Sequence, residues 1–220
     1  MAAQSYRNAL VYQDFSFRRG GFTVEDGRFV QVGEELPDAV DLQGALVLPG
    51  LIDIHSHGNS GCDLCDGSYE GLVTMARFYA RHGITSFAPA SATVLEETLH
   101  DAYIQAARLH REQPEGCAVL RGIQMEGPFF AESKKGAQNP DFLRQPDYEM
   151  FLRLQEAAEG LIAIADVAPE LPGGIEYVQQ VSRHCRVSLA HTAADYDTAK
   201  AAYDAGATHL THLYNAMPSL

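Results

Sequence analysis

The stretch Leu46-Val47-Leu48-Pro49-Gly50-Leu51-Ile52-Asp53-Ile54-His55-Ser56-His57 decides the fold. It reads as an apolar strand from Leu46 to His55 that ends in polar side chains, and the chain's pattern changes there. Before it, Phe22–Val24, Arg28–Val32 and Ala45–Val47 read as short strands, with Glu25-Asp26-Gly27 as a hairpin turn and no helical period. Residues 1–47 therefore form a small β domain. After it, strands and helices alternate. Ser68 caps a helix carrying Leu72, Met75, Ala76 and Tyr79 on one face, which stops at Gly83. Ile84–Ala90 is the next strand, and Leu95, Leu99, Ala102, Ala106 and Leu109 mark a second helix. Strands over 118–126, 161–167, 186–191 and 208–212 follow, separated by helices over 148–158, 175–183 and 195–206. Six strands with intervening helices require a parallel sheet, because only crossovers join parallel neighbours.

The polar residues of interest cluster at the C-terminal ends of these strands. That favours a (β/α)8 TIM-type barrel over residues 48–220, whose chemistry sits on that face. A doubly wound sheet is the alternative, but no GxGxxG follows a strand. A barrel has eight strands and this chain supplies about six, so the reading is an incomplete barrel, a truncated frame. Its fold class is α/β.

Composition removes several functions. With 46% hydrophobic and 20% charged residues the chain can bury a core. A net charge of −13 argues against nucleic-acid binding, which needs a basic footprint. No apolar run approaches the roughly 18 residues of a membrane helix, and no basic-then-apolar leader opens the chain. The expectation is a cytoplasmic protein with no membrane partner. Cys62, Cys65, Cys117 and Cys185 are too scattered for a disulfide scaffold, and Cys62/Cys65 form a lone CxxC that reads as two loop thiols.

The chemistry lies in four histidines and one glutamate. Side chains two apart on a strand share a face, so His55 and His57 both point into the barrel mouth. Glu126 closes the third strand, and His191 and His212 close the fifth and sixth. His209, at odd spacing from His212, faces the other way. Each residue alone is an ordinary structural one, yet all five fall at the same end of the strands. N and O ligands of this kind suit zinc or iron. Such a divalent metal activates water and polarises a carbonyl, which points to hydrolysis of an amide, ester or imine. Asp53, Asp63 and Asp66 read as turn or supporting groups, which leaves no general acid/base assigned.

The segment from Leu48 to Gly58 resembles the first-strand signature of the amidohydrolase superfamily. Gln124-Met125-Glu126-Gly127-Pro128-Phe129-Phe130, Lys134–Pro140 and His212-Leu213-Tyr214-Asn215-Ala216-Met217 resemble the N-acetylglucosamine-6-phosphate deacetylase family within it. The resemblance implies a full-length homodimer of barrels acting on a small amino-sugar phosphate. In it, Glu126, His191 and His212 hold a principal metal. His55 and His57 serve a second one, with Glu126 shared, so one or two ions bind. It implies substrate contacts from Ala137, Gln138, Asn215 and Ala216, and some relatives carry His at the position of Gln138. It implies attack of metal-activated hydroxide on the acetamide, assisted by an Asp that would fall beyond Leu220. No catalytic acid/base is thus expected in this chain, which alone should be inactive. The competing readings are the galactosamine epimer, a dihydroorotase-like or acyl-amino-acid hydrolase, and a non-catalytic sugar-phosphate-binding protein. The second reading is weakened because the fourth strand ends Val167-Ala168-Pro169-Glu170, with no Lys for carbamylation.

Overall fold

In a computed structural model, which describes residues 2–219, the chain divides after Gly50 into two compact units. The first is an antiparallel sheet of β1 (Gln4–Gln13), β2 (Ser16–Glu25) and β3 (Arg28–Val32), extended by β4 (Val40–Asp41) and β5 (Leu46–Val47), both parallel to β1. The expected turn is present: Glu25 pairs with Arg28, and Asp26 and Gly27 both take positive φ, the geometry a two-residue hairpin favours. Ala9, Val11 and Phe22 form this unit's small core.

The expected single strand over 46–55 is two strands. Leu46–Val47 belongs to the first unit, whereas β6 (Leu51–Asp53) opens the second. Pro49, which has no N–H to donate, and Gly50 separate them.

The second unit runs β6, a small hairpin of β7 (Gly58–Asn59) and β8 (Cys62–Asp63), α1 (Tyr69–Arg81), β9 (Ile84–Phe87) and α2 (Glu96–Glu112). It continues with β10 (Val119–Leu120), β11 (Ile123–Met125), α3 (Tyr148–Ala157), β12 (Ile162–Val167), α4 (Gly174–Val181), β13 (Arg186–Leu189), α5 (Tyr196–Asp204) and β14 (Ala207–Leu210). β6 pairs with β9 and β9 with β10, while β11 pairs with β12, β12 with β13 and β13 with β14, all parallel. A bridge from Ala90 to Gln124 joins the two sets. The order is sequential, as a barrel wall requires.

The helices follow their sequence signals. The Ser68 hydroxyl accepts from Gly71 N at the start of α1, and Asp195 accepts from Thr198 N at the start of α5. Leu72, Met75, Ala76 and Tyr79 are buried against the sheet, as are Leu99, Ala102, Ala106 and Leu109 of α2. Leu95 departs from its expected place: it precedes α2 and is exposed. Each fully buried leucine here stabilises the unit by roughly 1.5–3 kcal/mol. Among the described residues, no helix is long and apolar enough to cross a membrane.

Candidate metal centre

The strands end one to four residues before the side chains that matter. β6 stops at Asp53, β13 at Leu189 and β14 at Leu210. His55, His57, His191 and His212 therefore stand on the loops leaving the strands rather than on the strands. His191 and His212 take φ of 46° and 58°, a left-handed backbone that is uncommon for non-glycine residues.

Local bonds hold each loop. Asp53 O accepts from Ala88 N and Ser56 O from Ala90 N, so the 54–57 segment is laced to the continuation of β9. The Asp53 carboxylate accepts from His55 N. Asp63 and Asp66 cap the short turn at 64–66 reciprocally. Glu170 accepts from Thr192 Oγ1 and Ala193 N, which pins the chain just after His191. These four carboxylates serve backbone geometry.

All four imidazoles converge on Glu126, whose side chain is 1% exposed. His191 Nε2 and His212 Nε2 each lie 2.9 Å from Oε1. His57 Nε2 lies 3.1 Å and His55 Nε2 3.7 Å from Oε2. The His57 contact lacks the alignment of a hydrogen bond, so Oε2 is buried without a hydrogen-bond partner. One carboxylate thus offers one oxygen to each histidine pair. Burial pushes its pKa up, but contacts with His191, His57 and His212 outweigh burial and hold it well below the usual carboxylate range.

The far ring nitrogens are also committed. His191 Nδ1 lies 2.8 Å from Lys134 O, His57 Nδ1 3.2 Å from Ala90 O, and His55 Nδ1 2.7 Å from Gln124 Oε1. Each neighbour is an acceptor, so each Nδ1 carries a hydrogen, and each Nε2 faces Glu126 as the ring atom that a cation bound there would take. Neutral Nε2 donors, a charged carboxylate and an orphaned buried oxygen fit a divalent cation. Ligand atoms of His55, Glu126 and His212 lie within 4.8 Å of one another.

Of the residues expected to touch substrate, Gln138 is buried and its Oε1 accepts from Thr93 N, a bond that braces the loop. Gly136 borders the His191 ring: a Cβ there would stand 3.6 Å from Cε1. Ala137 and Asn215 are exposed, and Ala216 O accepts from Thr192 N. His209 lies apart from the cluster, lining a cavity of about 350 Å³ with Ile52, Ile54, Phe87 and Arg186. Cys65 Sγ accepts from Ala92 N, and burial pushes its thiol up to about 12, which leaves it inert. Sequence reasoning passed over Gln124 and Asp166. The only signal was an acidic residue inside the apolar run Ile162–Val167.

The chain is similar to known proteins in sequence and in fold. The chain is 34% identical to the N-acetylglucosamine-6-phosphate deacetylase of Bacillus subtilis over 218 residues, 95% of this chain and 55% of that protein. It is 32% identical to the N-acetylgalactosamine-6-phosphate deacetylase of Escherichia coli O157:H7, over 90% of this chain and 52% of that one. Its fold matches N-acetyl-D-glucosamine-6-phosphate deacetylase from Mycobacterium smegmatis, solved in complex with N-acetyl-D-glucosamine-6-phosphate. That match has a TM-score of 0.89 and 29% identity, covering 99% of this chain and 57% of the other. The chain spans about half the length of the curated relatives it matches. Residues 46–219 match the model of the amidohydrolase family, and the chain belongs to that family.

Proposed function

We propose that this chain carries the metal-holding part of a hydrolase that converts N-acetylglucosamine 6-phosphate to glucosamine 6-phosphate and acetate. The carrying observation is the division of Glu126, with Oε1 facing His191 and His212 and Oε2 facing His57 and His55. That division supports two adjacent positions for zinc or iron, the first held by Glu126, His191 and His212, the second by His55 and His57 with Glu126 shared. A bound divalent ion there supplies Lewis acidity and lowers the pKa of water.

The chain's own residues do the rest. Glu126 stays ionised and gathers positive charge. Lys134 O, Ala90 O and Gln124 Oε1 keep three rings in the Nδ1–H form. Phe130 packs on the His191 ring at 4.4 Å and keeps water from its flank. Ala137, Gln138, Asn215 and Ala216 lie on the loops that would frame the sugar. Asp53, Asp63, Asp66 and Glu170 are engaged in holding the loops, and Asp166 is buried. None is free to carry the proton from water to the leaving amine. The 220-residue chain alone should therefore release amine only at background.

The test is amine release from N-acetylglucosamine 6-phosphate by the whole polypeptide that carries these residues, with and without chelator, beside His191→Ala. Release abolished by both treatments is the expected result. Metal bound without release would discard this substrate and keep the site. N-acetylgalactosamine 6-phosphate belongs in the same assay, since one relative is named for that epimer; faster release from it would reverse the substrate assignment.

A further inference from the structure

Beneath the cluster lies a buried polar network of four side chains, none of them itself a proposed ligand. Gln124 and Asp166 are each 1% exposed, and Ser188 and Thr211 are buried beside them. Gln124 Nε2 lies 3.1 and 2.9 Å from the two Asp166 oxygens and 2.9 Å from Thr211 Oγ1. Thr211 Oγ1 in turn contacts Asp166 Oδ1 at 3.2 Å and Ser188 Oγ at 2.8 Å. The network ties β11, β12, β13 and the residue after β14 together.

Its consequence is an orientation. With Asp166 ionised, both its oxygens accept, so the Gln124 amide turns its NH2 toward them; the flipped amide would set oxygen against oxygen. Oε1 is then left facing His55 Nδ1 at 2.7 Å. An oxygen there accepts only, so His55 must carry its hydrogen on Nδ1 and leave Nε2 bare. His57 and His191 are oriented by backbone carbonyls, which no substitution removes. His55 depends on a side chain, and that side chain depends on Asp166.

We infer that Gln124, anchored by Asp166 and Thr211, is a positioning residue that sets the tautomer of His55 and thereby makes its Nε2 available to a metal. The inference rests on the metal reading of the cluster, yet its first readout needs no metal. In metal-free protein, long-range 1H–15N correlation of the histidine rings at pH 8 should report His55 as the Nδ1–H form. Gln124→Leu should convert it mainly to Nε2–H. Gln124→Glu, which keeps an acceptor at that point, should restore Nδ1–H. Asp166→Asn, which lets the Gln124 amide turn, should populate both forms and serves if Gln124→Leu does not fold. Zn2+ titration should then show the weaker site losing about 10–100-fold in Gln124→Leu, with the tighter site little changed.

An Nδ1–H His55 in both Gln124→Leu and Asp166→Asn would overturn the inference, as would unchanged Zn2+ affinity alongside a converted ring. A wild-type protein with the stated tautomer but no bound Zn2+ would instead refute the metal reading on which the inference rests.

Discussion

Asp166 carries its carboxyl where water does not reach, and stability should register that. Burial, and after it the charge of Glu126, push its pKa well above the usual carboxylate range, against the bonds from Gln124, Thr211 and Ser188. In metal-free protein the fold thus keeps a proton that the unfolded chain gives up above about pH 4. Stability should fall as pH rises from there toward the folded pKa. Glu126 works in the opposite sense: its folded pKa is lowered, so its contribution is complete above about pH 4.3 and is lost on acidification. His57, raised by its Glu126 contact, adds a decline of the same sign as Asp166 as pH passes its folded pKa. Asp166→Asn removes only the first slope. Its melting temperature, measured with chelator from pH 5 to 7.5, should decline less than that of the wild type; parallel curves would show that Asp166 is ionised throughout. The five proposed ligands were legible because each is a His or Glu beside a strand end. Asp166 was not, because its role depends on side chains 42 and 45 positions away in sequence.

Between β11 and the loop that covers His191, the chain turns on Gly127. Its φ is +89°, and a Cβ there would stand 2.3 Å from Thr93 Oγ1 and 3.2 Å from Phe130 Cε2. Gly127→Ala should cost roughly 1–3 kcal/mol. Because Glu126 is the adjacent residue, it should also weaken Zn2+ binding. Ser68→Ala, which deletes the cap of α1, should cost about 1 kcal/mol and leave Zn2+ binding alone. Chemical denaturation paired with metal titration separates the two. Equal losses of metal affinity would mean that general loosening, not the turn, governs the site. Elements with strong local signals were legible: α1 and α5 through their caps, the helices through apolar spacing, β9 and β12 to β14 through runs ended by turns. The single strand expected over 118–126 is instead two, β10 paired with β9 and β11 with β12, parted at Arg121-Gly122. β1 was missed. Asn8 takes a φ of 54°, and the pairing with β2 shifts register between Tyr6 and Ala9. A bulge destroys the alternation that a strand shows in sequence. The strand over 46–55 was misjudged because its apolar run continues across Pro49-Gly50, where the chain passes from one sheet to the other.

The sequential parallel order of the strands was readable from the order of elements, since right-handed crossovers leave few other arrangements. What alternation of strands and helices cannot encode is the fate of the outer strands. Among the described residues, β6 pairs only with β9 and β14 only with β13. Their apolar side chains stand open: Leu51 is 64%, Ile52 68% and Leu210 47% exposed. An unpaired strand with exposed apolar residues is a template for another chain, and parallel sheets are ordinarily covered on both faces. The isolated 220-residue chain should therefore associate through these edges as its concentration rises. Sedimentation velocity should show species larger than a monomer, and binding of a hydrophobic dye should be strong. Ile52→Lys together with Leu210→Lys places a charge on each edge and should return the chain toward monomer. Neither substitution touches the Glu126 cluster, so Zn2+ stoichiometry should be unchanged. A wild-type chain that stays monomeric would mean that the edges are protected by their own twist or by flanking loops. Association that persists in the double variant would move the contact elsewhere, to an apolar surface such as that of Leu213 and Tyr214, 49% and 66% exposed.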